Sequence, residues 1–274
     1  MAILQQPQAG PTVILIDWHA TLVDTHDAMY HAVDDVLPRL AELGLLTELL
    51  GPEQAKTFED AKLVHYVREH RHLHPKIVAQ RKISRTDIFE VLFGDNEQAK
   101  RRAHEAFDAA YHRYVGMVHA LEPDARTQLQ CLRALGLRLG LISNRSRRFM
   151  LHELQQLDAG SWPALFDVMV CGDEVARRKP APDMLLEALR QLDAPAQGCW
   201  YLGDSTTDII AAHEAGVTAL FYNGAGWEQS WLDKIFPGTL KHPYRPHGVV
   251  ASLGELVALA RRMLAQQLRV ERAR

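Results

Sequence analysis

Residues 14–24 read ILIDWHATLVD: an apolar run that stops at a carboxylate, Asp17, with His19 two positions on. A continuous apolar run bounded by polar residues is the pattern of a strand buried on both faces, as in a parallel sheet. An Asp ending such a strand is either a turn or cap residue, or a group delivered to the rim where open α/β sheets bind ligands. The rest of the chain decides between the two.

From Leu121 onward, four more runs of this texture alternate with helical periodicity: LRLGLIS (137–143), FDVMVCG (166–172), GCWYLGD (198–204) and VTALFY (217–222). TVILID (12–17) belongs to the same set. Between them, AMYHAVDDVLPRLAEL, AKTFEDAKLVHYVREH, RTDIFEVLF and AKRRAHEAFDAAYHRYV carry apolar residues at three- and four-residue spacing, and no strand pattern intervenes. The expected fold is therefore α/β. A Rossmann-like parallel sheet core is formed by residues 1–25 and 119–274, with an all-helical cap, residues 26–118, inserted after the first strand.

The chain has 274 residues, 47% of them hydrophobic, and a formal net charge of -3. That supports a globular core and gives no electrostatic reason to bind nucleic acid or an anionic membrane. Cys131, Cys171 and Cys199 fall in no metal-ligand spacing and read as free thiols of a reducing compartment. The chain shows neither a signal-peptide pattern at its start nor an apolar stretch near the roughly 18 residues that span a bilayer, so a cytoplasmic location is expected. Arg269, Arg272 and Arg274 read as a solvated tail.

The strand ends carry the chemistry. The run at 137–143 delivers Ser143 and then Asn144; the run at 198–204 delivers Asp204, then Ser205 and Asp208; Lys179 stands in RRKPAPD, ahead of a helix expected near Pro182. Each has an ordinary reading alone. Asp204 and Asp208 suit a helix start, Ser143-Asn144 could cap a helix near Arg147, and Lys179 could be a solvated loop charge. Together, repelling carboxylates converging on one rim require a cation, and an oxygen-rich hard site favours Mg²⁺.

These motifs resemble those of the haloacid dehalogenase superfamily, in its phosphoglycolate phosphatase and phosphonatase-like branch with a helical cap. DWHATLVD resembles the nucleophile loop, LISN the hydroxyl motif, RRKPAPD the lysine motif and GDSTTD the acidic metal motif, in the family's order. The resemblance implies that Asp17 attacks phosphorus and becomes an aspartyl-phosphate. It implies a metal site for Mg²⁺ of Asp17, the His19 carbonyl, Asp204 and Asp208. Ser143 would bond a phosphoryl oxygen, Lys179 would neutralise charge, and Thr21 and Asn144 would contact substrate. The expected enzyme is a Mg²⁺-dependent phosphatase of a small phosphorylated metabolite. The oligomeric state stays open, a homodimer included.

Two positions depart from the family pattern. His19 replaces the second Asp that serves as acid and base, and Ala20 replaces a Gly. His19 is expected either to move protons or to shape the pocket. Phosphonoacetaldehyde hydrolases share the Trp after the nucleophile and use a cap lysine as a Schiff base, for which Lys56, Lys62, Lys76 and Lys82 are candidates. A phosphotransferase and a weak regulator that binds a phosphorylated ligand are further alternatives; GDSTTD speaks against a dehalogenase. In the cap, His65, His70, His72 and His74 are expected to form a polar helix face, and Arg68, Arg71, Arg81 and Arg85 are candidates for a substrate's second anionic group. The aromatics of residues 223–248 are expected to pack on the core, a dimer patch being the alternative.

Overall fold

Five continuous apolar runs become five neighbouring strands. In a computed structural model, which describes residues 7, 9–80, 83, 85–240 and 242–272, β1 is Val13–Asp17, β4 Arg138–Ser143, β5 Val168–Cys171, β6 Cys199–Gly203 and β7 Thr218–Tyr222. Two short pieces escaped the sequence reading: β8 (Gly248–Val250), an edge strand, and an antiparallel pair of β2 (Val23–Asp24) with β3 (His119–Ala120). Arg81, Lys82 and Arg274 lie outside the described residues.

The main sheet runs β5-β4-β1-β6-β7-β8, every pairing parallel. Strand β1 is central and buried throughout. The chain adds β4 and β5 on one side of it and β6, β7 and β8 on the other, which makes the carboxyl end of β1 the switch point where such sheets bind ligands.

The helices are α1 (His26–Val36), α2 (Phe58–His70), α3 (Pro75–Gln80), α4 (Arg85–Phe93), α5 (Glu97–Tyr111), α6 (Ala125–Ala134), α7 (Arg147–Gln156), α8 (Asp183–Leu192), α9 (Thr206–Glu214), α10 (Gln229–Ile235) and α11 (Leu253–Arg272). In α8 the buried residues Met184, Leu185, Ala188, Leu189 and Leu192 form one stripe, and they pack with Ile209 of α9 on Val13, Leu15 and Val170 of the sheet.

The chain clusters into two compact units, Met1–Asp24 with His119–Arg274, and Thr25–Val118. The second has its own core, in which Ala99, Ala103 and Phe107 of α5 join Ala32, Val33 and Val36 of α1 and Phe89 and Phe93 of α4. Two of its helix starts are capped by side chains: Thr57 accepts from Asp60 N at 3.1 Å and Asn96 from Ala99 N at 3.0 Å.

In the 223–248 segment, Phe236 meets Phe221 edge-on at 5.0 Å and Trp227 packs against the buried core, stacked on Trp231 at 5.3 Å. All three cysteines are free. Among the described residues, no helix is long and apolar enough to cross a membrane.

Candidate active site

Asp17 ends β1, Ser143 ends β4 and Asp204 follows β6 directly, so three neighbouring strands place these side chains on one rim. After Asp17 the chain turns tightly: Leu22 N and Val23 N both donate to Trp18 O at 3.0 Å. Ala20 sits in the left-handed region, φ +60°. That conformation strains a residue with a Cβ and explains why a Gly suits the position.

Asp208 is reached through helix α9. Ser205 is its N-cap, forming a capping box with Asp208: Asp208 Oδ2 accepts from Ser205 N at 3.1 Å and from Ser205 Oγ at 2.5 Å. The ordinary helix-start reading of Asp208 is thus correct for one oxygen. The other, Oδ1, accepts from Lys179 Nζ at 2.7 Å and Tyr201 Oη at 2.8 Å. Gly203 permits this approach, because a Cβ there would meet Asp208 Cγ at 2.4 Å.

Lys179 is buried, and its ammonium also donates to Asp17 Oδ1 at 2.5 Å and to Tyr201 Oη at 2.9 Å. An ammonium has three donors, and these three partners account for all of them. The loop carrying Lys179 is held by Asn144, whose Oδ1 accepts from Lys179 N at 2.9 Å and whose Nδ2 donates to Lys179 O at 3.2 Å. Asn144, expected at the substrate, is therefore engaged with backbone at both ends of its amide. Ser143 is fully buried, and its Oγ accepts from Arg145 N at 3.2 Å. The N-cap position of helix α7 is Ser146, not Ser143 or Asn144, and its side chain makes no cap bond. Thr21 Oγ1 lies 3.5 Å from Asp17 Oδ2 and 3.4 Å from Asp204 Oδ1, between two carboxylates.

Among the described residues, Asp17, Asp204 and Asp208 are the group able to hold a metal, each offering an oxygen within 4.8 Å of the others. Burial and the like charge of Asp208 push the Asp17 carboxyl up to about 6 against the pull of Lys179. Burial and the charges of Asp17 and Asp208 push Asp204 well up. Asp208, in spite of burial, is held below its ordinary range by Lys179, Ser205 and Tyr201. One ammonium thus faces three carboxylates, and Asp204 has no cation of its own among these contacts. A site built from hard oxygens with surplus negative charge fits a divalent cation of the Mg²⁺ type.

His19 is half-buried, and its Nε2 lies 3.1 Å from Oε2 of Glu153, a fully buried residue on α7. Burial and the nearby Arg145 guanidinium hold the imidazole down to about 4, although Glu153 pulls upward. Glu153 itself is held at about 2: burial opposes its charge, but His19, Arg145 and Trp18 together outweigh it. At neutral pH the ring of His19 is uncharged. The Arg145 charge and the hydrogen bonds from Trp18 and His19 are then what keep Glu153 ionised.

Glu153, Tyr201 and Arg145 were not singled out from sequence. Of the lysines considered for an imine, Lys56 and Lys62 are exposed and paired with Glu90 and Glu59 at 3.2 and 2.9 Å. That is the reverse of the desolvated setting that activates an imine-forming amine. Arg68 donates to Leu49 O and Leu50 O, Arg71 to Val67 O, and Arg85 to Asp108. The four histidines do not share a helix face, because α2 ends at His70 with Arg71 left-handed, which leaves His72 and His74 beyond it. His70 and His74 lie against the Tyr66 ring, His65 and His72 sit near Glu69 and Asp34, and they form no metal grouping among the described residues.

The family model of the haloacid dehalogenase-like hydrolases matches residues 14–222. The chain belongs to that family. It is 28% identical over 208 residues to a phosphoglycolate phosphatase of Colwellia psychrerythraea, covering 76% of this chain and 82% of the relative. It is 34% identical over 120 residues to a phosphoglycolate phosphatase of Escherichia coli, covering 44% and 46%. Among solved structures, a haloacid dehalogenase family hydrolase of Deinococcus radiodurans with bound phosphate and sodium matches with TM-score 0.54 and 23% identity over 93% of this chain and 97% of that one. A hydrolase of Pseudomonas syringae matches with TM-score 0.58 and 20% identity over 90% and 96%. The haloacid dehalogenase-like chain is thus a hydrolase whose sequence relatives are phosphatases, and the solved structures share its α/β fold.

Proposed function

We propose that this hydrolase removes the phosphoryl group from a small phosphorylated metabolite through an aspartyl-phosphate on Asp17. The observation that carries the reading is the pinning of Asp17: Lys179 holds Oδ1 at 2.5 Å, leaving Oδ2 beside the Thr21 hydroxyl at the ligand-binding end of the central strand. A carboxylate fixed in this way is oriented for attack, and splitting the displacement into two lowers each barrier.

Asp17, Asp204 and Asp208, with the main-chain carbonyl of His19, would hold Mg²⁺, which when bound offsets their mutual repulsion and draws electron density from a phosphoryl oxygen. Lys179 acts on the phosphoryl group through its charge, since its donors are engaged by Asp17, Asp208 and Tyr201. Asn144 keeps Lys179 in place, and Ser143 offers a hydroxyl at the end of the neighbouring strand. Relatives named phosphoglycolate phosphatase make small phosphorylated carboxylic acids the first substrate class to test. The composition argues for a small-molecule partner in the cytoplasm, without nucleic acid or membrane.

The test is a screen of phosphorylated metabolites and phosphonates with Mg²⁺, repeated with EDTA and with Asp17→Asn. Turnover of phosphate esters that either treatment abolishes, with the fold intact by circular dichroism, is the expected result. Full activity after either treatment overturns the mechanism.

A further inference from the structure

Glu153 has no part in the chemistry just described, yet it is a carboxylate with 0% exposure whose partners come from the two loops that build the site. Trp18 Nε1–H donates to its Oε2 at 2.7 Å, His19 Nε2 lies 3.1 Å from the same oxygen, and Arg145 Nη1 lies 3.2 Å from Oε1. Trp18 is braced in turn by Trp162, edge-on at 5.9 Å. The other buried residues of α7 are Met150 and Leu154, so the helix otherwise turns an apolar face inward. A carboxylate there costs several kcal/mol in desolvation before its partners offset it, and an apolar side chain would pack without that cost.

The partners fix a hydrogen position. An indole N–H and a guanidinium can only donate, so both Glu153 oxygens accept. The ring nitrogen facing Oε2 is then the donor, and neutral His19 carries its hydrogen on Nε2 and its lone pair on Nδ1. A carboxylate that orients an imidazole in this way fixes its tautomer and stabilises the imidazolium once a proton arrives.

We propose that Glu153 is a positioning residue that makes His19 a proton acceptor for the second half of the reaction only. The proposal rests on the phosphatase reading above. In that second half, a water oxygen attacks phosphorus and the bond from phosphorus to Asp17 breaks, its electron pair returning to the carboxylate. The water's proton passes to Nδ1 of His19, Glu153 stabilises the imidazolium, and the proton then goes to solvent. In the first half, the leaving oxygen departs with its electron pair and takes its proton from solvent, because the one ring hydrogen of His19 is bonded to Glu153. A carboxyl group at this position could serve both halves; this imidazole serves one.

The experiment uses 4-nitrophenyl phosphate with Mg²⁺ and compares wild type, Glu153→Gln, His19→Ala and the double variant by stopped flow and acid quench. The Gln side chain keeps the shape of Glu but can donate to the ring, which permits the opposite tautomer. Each single variant should release a burst of nitrophenolate approaching one equivalent, accumulate acid-stable, alkali-labile phosphoprotein, and then turn over roughly 10²- to 10⁴-fold more slowly. The double variant should be no slower than the singles, because the two residues act as one unit. A 15N spectrum of wild-type His19 should show the protonated-type shift on Nε2 and the unprotonated type on Nδ1, and this readout stands even if Glu153→Gln does not fold. Normal wild-type turnover with no burst from His19→Ala, or a reversed tautomer, overturns the proposal and leaves the phosphatase reading in place. A wild type without Mg²⁺- and Asp17-dependent turnover overturns both.

Discussion

His19 should make the metal-free protein acid-labile by an amount that can be worked out. Its imidazole is held down to about 4 by burial and by Arg145, against an ordinary value of 6.5. Between those values the unfolded chain binds a proton that the folded chain does not, so stability falls as pH falls through that window. Integrating from pH 7 to pH 5 gives a loss of about 2 kcal/mol from this one group. The perturbation is His19→Ala, measured with wild type by urea denaturation in EDTA at pH 7, 6 and 5. Alanine removes the titrating ring, while Arg145 and Trp18 remain to keep Glu153 ionised across this range. His104, also held down to about 4, and His247, held below its ordinary value, contribute to both proteins and cancel. The stability advantage of wild type over the variant should therefore shrink by about 2 kcal/mol between pH 7 and pH 5. An advantage constant to within about 0.5 kcal/mol would refute the reasoning, since the ring would then titrate alike in both states.

Two further perturbations probe the supports of Lys179. Tyr201→Phe removes the hydroxyl bonded to both Lys179 and Asp208; it should cost about 2–4 kcal/mol in chemical denaturation, as expected for hydrogen bonds to charged groups, and a change below about 0.5 kcal/mol would contradict the contact. Asn144→Ala frees both backbone groups of Lys179; it should lower kcat by roughly 10-fold or more with a smaller change in KM, because the misplaced group is a charge on the nucleophile rather than a substrate contact, and a change confined to KM would return Asn144 to the substrate.

Much of the architecture was legible from local pattern alone. A strand buried on both faces is apolar along its length, so the first polar residue marks where it emerges at the rim; Asp17, Ser143 and Asp204 were read in this way, and the sheet order places them side by side. The capping box at Ser205 and Asp208 is equally local. The edge strand β8 and the β2–β3 pair escaped because two or three residues carry no period. Tertiary structure alone decided what each polar group faces. Glu153 reads as one more polar residue of RRFMLHELQQ, and its partners Trp18 and His19 stand 135 and 134 residues away. Tyr201 reads as strand apolar content until folding brings Lys179 to its hydroxyl, and Asn144 reads as a strand-end ligand until folding sets it against a backbone 35 residues on. Periodicity reports which face of an element is buried. Whether a charge can stay on that face depends on donors contributed by distant segments, and those are set only when the chain closes on itself.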